Sequence, residues 1–427
     1  MLASMRAGVA RWLVLGSLLS SGCYLSHGRE GDAGVPMDAA RAPDAGTRLD
    51  AGGRDAGVDA AEPHDAGTPR PDAFVPGCDA AGLPPIVETD LDLDLLFVVD
   101  NSGSMAQEQV ALTENFPRMI RSLATGDLDG DGTPDFPPVR DLHVGVVTTD
   151  MGTRGMVVPT CRDPERGEDG VLRTAGLTSA GCMATYPSFL TFAPATGSVD
   201  ALARDFACVA VAGTGGCGME QPLEAALKAL TPSTSTIRFY PDTTGHGDGP
   251  NAGFVRPDSF LAIVVVTDED DCSARDPELF NPTSVVYTDQ LFLRCAFHED
   301  ALHPVERYVD GLRALRSDRP ERLLVAAIAG VPADLLTDPA GPDFEGILAD
   351  SRMQVRVSLI SGAELVPACT TLRRGDATPG RRMVRIIQGL GEAGILQSIC
   401  APRFDGAVSA ITSRLGTRIR EARCEGR

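Results

Sequence analysis

The stretch Leu91–Gln107 constrains this chain more than any other. It reads Leu-Asp-Leu-Asp-Leu-Leu-Phe-Val-Val-Asp-Asn-Ser-Gly-Ser-Met-Ala-Gln. Leucines alternate with Asp92 and Asp94, and an unbroken apolar run then follows through Val99. Such a run suits a strand buried on both faces, as in a parallel sheet. It ends abruptly at Asp100-Asn101-Ser102-Gly103-Ser104, and a helical pattern takes over. A carboxylate and two hydroxyls at alternate positions therefore stand where a buried strand ends. In open α/β sheets that carboxyl edge is where ligands bind.

From there the chain alternates strand-like and helix-like segments. Strands are expected at Leu91–Val99, His143–Thr149, Phe260–Thr267 and Leu323–Val331, with two more at Met353–Ile360 and Met383–Ile387. Helices are expected at Ala106–Ala124, Asp200–Ala212, Glu220–Leu230, Val305–Leu315 and Phe404–Ile419. Val110, Met119, Ile120 and Leu123 would share one face of the first helix, and Pro117 would kink it. Pro222 falls in the first turn of its helix, where proline is tolerated. This alternation predicts an α/β fold: a doubly wound, mainly parallel central sheet flanked by helices. Residues 126–138, 150–198 and 231–258 read as inserted loops.

The N-terminus carries a targeting signal. Arg6 and Arg11 precede the short apolar run Trp12–Leu19, which is too short for a stable membrane span. Ser20-Ser21-Gly22-Cys23 then resembles the bacterial lipobox, with Ser20 where that motif prefers Leu. The expected reading is a lipoprotein signal peptide over residues 1–22, with Cys23 lipidated. Residues 23–77 repeat Asp-Ala-Gly five times among Pro and Arg and hold almost nothing large and apolar. They cannot repay the entropy of ordering, so a disordered tether is expected, its ends about 40 Å apart as a Gly-rich coil. The folded part would then occupy residues 78–427.

Ten cysteines remain after Cys23. An even number in an exported chain points to disulfides. Pairing of neighbours is expected: Cys161 with Cys182, Cys208 with Cys217, Cys272 with Cys295, Cys369 with Cys400, and Cys78 with Cys424. No Cys-x-x-Cys pair occurs, which argues against structural zinc. The net charge of −21 at pH 7 argues against nucleic acid as a partner.

Asp100-x-Ser102-x-Ser104 after a buried strand resembles the opening of the metal-ion-dependent adhesion site of the von Willebrand factor A (vWA) domain family. That family adds a Thr in a mid-domain loop before a helix, matched by Thr214 in Gly213-Thr214-Gly215-Gly216. It also adds an Asp at the end of a later core strand, matched by Asp268 after Val264-Val265-Val266-Thr267. The three pieces stand in the family's order. The resemblance implies a vWA, Rossmann-like fold and a site for Mg²⁺, Mn²⁺ or Ca²⁺, since hydroxyl and carboxylate oxygens suit hard cations. Ser102, Ser104 and Thr214 would ligate directly, with Asp100 and Asp268 acting through water. The open position would take an Asp or Glu of a protein partner. The loops 150–198 and 231–258 would rim this face.

Neighbouring residues are read more plainly. Glu269, Asp270 and Asp271 extend the acid run and are taken as a solvated loop, the alternative being a second cation beside the first. Thr148, Thr149 and Asp150 are taken as capping a strand end. His298 and His303 are five apart, off the helical spacing of a metal pair, and are taken as surface residues.

Asp127-Leu128-Asp129-Gly130-Asp131-Gly132-Thr133-Pro134-Asp135 resembles the calcium loops of EF-hand, dockerin and thrombospondin type 3 repeats. Asp127, Asp129, Asp131, Thr133 and Asp135 would converge on Ca²⁺, and Gly132 would permit the sharp turn. Pro138 stands where an EF-hand has its Glu, so the loop would close at Asp135.

Taken together, these residues predict a lipid-anchored protein of the cell envelope, expected at the outer membrane. It would touch the membrane through its anchor alone and bind an acidic protein ligand through a cation. The alternative is an envelope scaffold with structural calcium and no active adhesion site. A phosphotransfer enzyme is a third class. Asp90, Asp92 and Asp94 superficially resemble the haloacid-dehalogenase motif, but they precede the buried strand, and Ser102 stands where a second Asp would be needed. No other catalytic motif is present.

Overall fold

In the computed structural model the described residues are 92–178, 181–193, 197–338, 341–371 and 375–425. The expected signal peptide, Cys23, the expected tether and Cys78 lie outside them, as do the side chains beyond Glu421, that of Cys424 included.

The chain runs β1 (Asp92–Val99), α1 (Ala106–Thr125), β2 (Asp141–Thr148), β3 (Leu190–Phe192), α2 (Val199–Ala210), α3 (Pro222–Leu230) and β4 (Phe260–Val266). It continues through α4 (Arg294–Phe297), α5 (Val305–Ala314), β5 (Leu323–Ala329), α6 (Phe344–Ala349), β6 (Cys369–Thr371), β7 (Gly375–Ala377), α7 (Arg381–Leu390), β8 (Gly394–Ser398) and α8 (Asp405–Glu425). Six strands form one sheet in the order β3-β2-β1-β4-β5-β8. All neighbours pair in parallel except β3, which runs antiparallel on β2. The expected α/β sheet flanked by helices is present.

β1 shows why its sequence is a continuous apolar run. Leu93, Leu95, Phe97 and Val99 enter one core with α1, α2 and α8. Leu96 and Val98 enter the other with α3, α5 and α7. Successive side chains alternate across the sheet, so burial on both faces demands apolar residues at nearly every position. Phe97 lies 4.8 Å from Phe116 of α1 and 4.7 Å from Phe206 of α2, ring centre to ring centre, which seats both helices on one face. Asp94 is the exception within the run. It is fully buried and accepts hydrogen bonds from the Arg256 guanidinium and backbone N–H and from Ser259.

Several expectations need correction. Met383–Ile387 lies in helix α7, and its buried residues Met383, Val384, Ile386, Ile387 and Leu390 follow helical spacing. The last sheet strand is β8, five residues long and not foreseen. Met353–Ile360 is not a strand. Met353 ends a 3-10 turn, Val357 makes one bridge to Leu365, and Leu359 and Ile360 project fully into solvent. The 150–198 stretch contains β3. Val110 of α1 is exposed, while Met119, Ile120 and Leu123 are buried, and the helix continues through Pro117.

Two neighbour disulfides occur as expected, Cys272–Cys295 and Cys369–Cys400. The other two are exchanged: Cys161 pairs with Cys217 and Cys182 with Cys208. The fold explains the exchange. Residues 160–161 lie over the 217–218 turn, where Gly218 N–H donates to Thr160 Oγ1. Leu177 instead lies on α2, where its N–H donates to the Cys208 carbonyl. Four disulfides fit an oxidising compartment. Among the described residues, no helix is long and apolar enough to cross a membrane.

Candidate functional site

β1 connects to β2 on one side, and the chain later crosses to β4 on the other. The carboxyl ends of β1 and β4 are therefore a topological switch point, where the two following loops diverge and leave a crevice. Asp100 and Asp268 leave the sheet there. The Asp100 N–H donates to the Val266 carbonyl, which locks the two loops in register.

A chain of hydrogen bonds crosses the crevice. Asp100 Oδ1 accepts the Ser102 N–H at 2.8 Å, and Asp100 Oδ2 accepts the Thr267 hydroxyl at 2.7 Å. The Ser102 and Ser104 hydroxyls lie 3.0 Å apart, and Ser104 donates to Asp268 Oδ1 at 3.1 Å. Asp100, Ser102 and Asp268 are buried, while Ser104 reaches the surface. Gln109 of α1 braces the cluster from behind. Its Nε2 donates to the Asp100 and Gly213 carbonyls, both at 2.7 Å, and its Oε1 accepts the Gly213 N–H at 2.9 Å.

The structure thus brings Asp100, Ser102, Ser104 and Asp268 together. Thr214 is exposed on the loop that Gln109 holds, and among the described residues no hydrogen bond joins it to the other four. Thr149 supports Asp100 from 3.5 Å, and its carbonyl accepts the Gln221 N–H at the start of α3. Asp150 accepts the Gly152 and Cys217 N–H groups and so holds the loops beneath.

The acid run is not a solvated loop. Asp270 accepts the Arg382 and Met383 N–H groups and caps the N-terminus of α7. Asp271 is buried, accepts from the Arg382 guanidinium at 3.1 Å and caps α3 through the Leu223 N–H. Asp268 accepts the Ser104 hydroxyl at the crevice, and Glu269 lines the groove. Glu220, which precedes α3 and formed no part of the expected motif, joins them there.

The electrostatics follow from this crowding. Burial, then the charges of Asp100 and Glu269, push the Asp268 carboxyl up to about 9. Burial raises Glu269 to about 7 against its hydrogen bond with Glu220, and the Asp100 charge adds to the rise. Burial and the charges of Glu269 and Asp100 carry Glu220 well above the carboxylate range. Burial also raises Asp100, against the Ser102, Thr267 and Thr149 hydrogen bonds. Among the described residues no Lys or Arg pairs with any of these four acids. Carboxylates and hydroxyls converging without a counter-charge make a donor set suited to a hard cation.

Ser102, Ser104 and Glu220 line a groove of about 710 Å³ that continues past Met219, Phe292 and Leu365. Thr160 represents the 150–198 stretch on its wall. No residue of 231–258 lines it. That stretch packs at the other side of the molecule, with Phe239 and Phe254 in the α3–α5 core. The rim comes instead from 291–296 and 358–367.

At the 127–135 loop, Asp127 accepts the Gly130 and Gly132 N–H groups, Asp129 that of Asp131, Asp131 that of Thr133, and Asp135 that of Leu128. Gly130 and Gly132 take positive φ of 84° and 88°. Carboxylate oxygens of Asp127, Asp129 and Asp135 lie within 4.8 Å of one another, and Asp131 stands outside that group.

His298 and His303 are partly buried and do not act as a pair. His298 contacts Asp289 at 2.6 Å, and burial beside Arg307 and Arg154 lowers His303 to about 4. Asp92 and Asp94 lie at the amino end of β1, opposite the crevice, and are tied to Arg256.

The fold and the crevice define a doubly wound α/β domain with an acid and hydroxyl cluster at its switch point. Among solved structures the chain is similar to the crystal structure of a conserved hypothetical protein, BatB, from Bacteroides thetaiotaomicron. Identity is 10%, the match covers 77% of this chain and 99% of that one, and the TM-score is 0.28. No family model and no curated protein matches the chain.

Proposed function

We propose that this protein is a lipid-anchored envelope protein whose vWA-type domain binds a protein partner through a divalent cation in the β1–β4 crevice. Asp100, Ser102, Ser104 and Asp268 hold the ion, and an Asp or Glu of the partner completes it. The observation that carries the reading is the hydrogen-bonded chain from Asp100 through Ser102 and Ser104 to Asp268, at the switch point and without a basic counter-charge. Thr214, exposed like Ser104 and on the loop held by Gln109, is the further hydroxyl offered to the ion. The groove beside the ion supplies contact area, and Phe292, Leu359 and Ile360 give its surroundings an apolar character. The Asp127–Asp135 loop takes Ca²⁺ in a structural role. It joins α1 to β2, and Arg420 of α8 donates to the Asp135 carbonyl at 3.1 Å.

The test is capture from an envelope extract in Mg²⁺ with elution by chelator. Capture is expected to fail with Ser104→Ala, and to fail when the partner's carboxyl groups are amidated. Binding that persists in chelator, or that survives amidation, overturns the reading.

A further inference from the structure

One basic side chain of this protein differs from all the others. Its 38 Lys and Arg residues are arginine at every position except Lys228, in the last turn of α3. Lys228 is also buried, at 1% exposure. Arginine is the better partner for a buried carboxylate, because its planar fork can bind both oxygens. The chain uses arginine in that way at Asp94, Asp271 and Glu224. What a lysine adds is a primary amine, which is a nucleophile once it gives up its proton.

A carboxyl group is held against that amine. Lys228 Nζ donates to Asp169 Oδ1 at 2.5 Å, and Asp169 Oδ2 lies 3.1 Å from His246 Nε2. Three segments are pinned together here. Asn251 Nδ2 donates to the Gly170 and Ala229 carbonyls, which ties the Asp169 loop to α3. The His246 N–H donates to the Lys228 carbonyl at 2.8 Å. Asp169 itself takes a φ of 57°, in the left-handed region that few residues other than glycine adopt. The Phe239 ring stands 5.8 Å from Nζ. Burial alone would raise the Asp169 carboxyl, and the His246 and Lys228 hydrogen bonds bring it below its usual range, so the pair rests ionised.

We propose that Lys228 and Asp169 condense to an intramolecular amide, a covalent link between the loop after β2 and α3. The Nζ–Cγ bond forms and the Cγ–Oδ2 bond breaks. The ammonium gives up two protons, the departing Oδ2 takes both, and one water leaves. His246, beside Oδ2, relays protons to that oxygen. Nothing is oxidised or reduced. Holding the two groups in contact supplies the proximity that a condensation between separate molecules lacks, and burial of Lys228 keeps bulk water from the product. The link would close a loop of chain as a disulfide does, and no reductant would open it.

The absence of any other lysine makes the test direct. A lysine-specific protease cuts the denatured, reduced full chain at one place if the Lys228 amine is free, and nowhere if it is an amide. No cut is expected. Digestion at arginine is expected to release a branched peptide joining Asp169 to Lys228, one water lighter than the two peptides apart. Two fragments from the lysine-specific digest, or the two arginine peptides recovered separately at full mass, overturn the proposal. His246→Gln keeps the backbone N–H on the Lys228 carbonyl and is expected to restore the cut. A His246→Gln chain that stays uncut overturns the relay.

Discussion

Asp268→Asn is expected to stabilise the cation-free protein, although it removes a residue of the proposed binding site. The Asp268 carboxyl is raised from 3.8 to about 9 by burial and by the charges of Asp100 and Glu269. Its folded value lies above its unfolded value. The stability it contributes is therefore fully present below about pH 4 and is lost as pH rises toward 9. At pH 7 the unfolded chain has released a proton that the folded chain retains. The loss is about 1.4 kcal/mol per pH unit across roughly three units, or on the order of 4 kcal/mol. Asn keeps an oxygen for the Ser104 hydroxyl and has no proton to lose. Thermal melts in chelator at pH 5, 7 and 8.5 should show the variant gaining over the native protein as pH rises. With saturating divalent cation the order should reverse, because the ion stabilises only the chain that binds it. If Asp268→Asn lowers the melting temperature equally in chelator and in cation, the crowding argument fails.

Three further outcomes follow from other parts of the molecule. Arg382→Ala leaves Asp271 buried and unpaired, with an expected loss of about 3–5 kcal/mol in urea unfolding, whereas Asp271→Asn with Arg382→Met should recover much of it. Gly126→Ala should cost more than about 1 kcal/mol by the same measurement, because Gly126 ends α1 at φ 77° and an added Cβ would meet the Phe136 carbonyl oxygen at 2.1 Å. His303 is lowered from 6.5 to about 4, so below pH 6.5 the unfolded chain takes up a proton that the folded chain refuses. Stability should fall as pH drops from 6.5 to 4, by up to about 3 kcal/mol, and His303→Gln should flatten that slope in melts.

The parallel core was legible in the sequence because burial on both faces leaves a strand almost no freedom of composition. β1, β4 and β5 are nearly unbroken apolar runs, and each was found within a residue or two of its ends. The edges were not legible for the same reason. β8 has Gly394 and Gln397 and only five residues, since it pairs on one side alone, and β3 is three residues long. Met383–Ile387 misled because a short apolar run fits either period, and the deciding residue, Leu390, lies beyond it. The cysteines misled because sequence distance does not measure distance across a crossover connection, and the 150–198 stretch lies partly on α3 and partly on α2.

The candidate site divides along a similar line. Asp100, Ser102, Ser104 and Asp268 follow core strands, so placing the strands placed them. The third piece follows no strand. The resemblance calls for a threonine before a helix, and Thr214 fits that description eight residues ahead of Pro222 in α3. Those intervening residues hold two anchors, the Gly216 N–H on the Asn101 carbonyl and the Cys161–Cys217 bridge, and only after both does the chain enter the groove. Glu220 is the acid that arrives there. Pro222 marks the first turn of α3, so an acid two residues earlier stands at the helix entrance with its side chain free to leave the helix axis. Helix entrances favour negative charge, and a buried one facing Asp100 needs more than a helix to balance it. The groove therefore presents, ahead of α3, a carboxylate that the motif does not include. Burial beside Glu269 and Asp100 holds the Glu220 carboxyl well above the carboxylate range, so a cation entering this crevice has to displace protons from the acids around it.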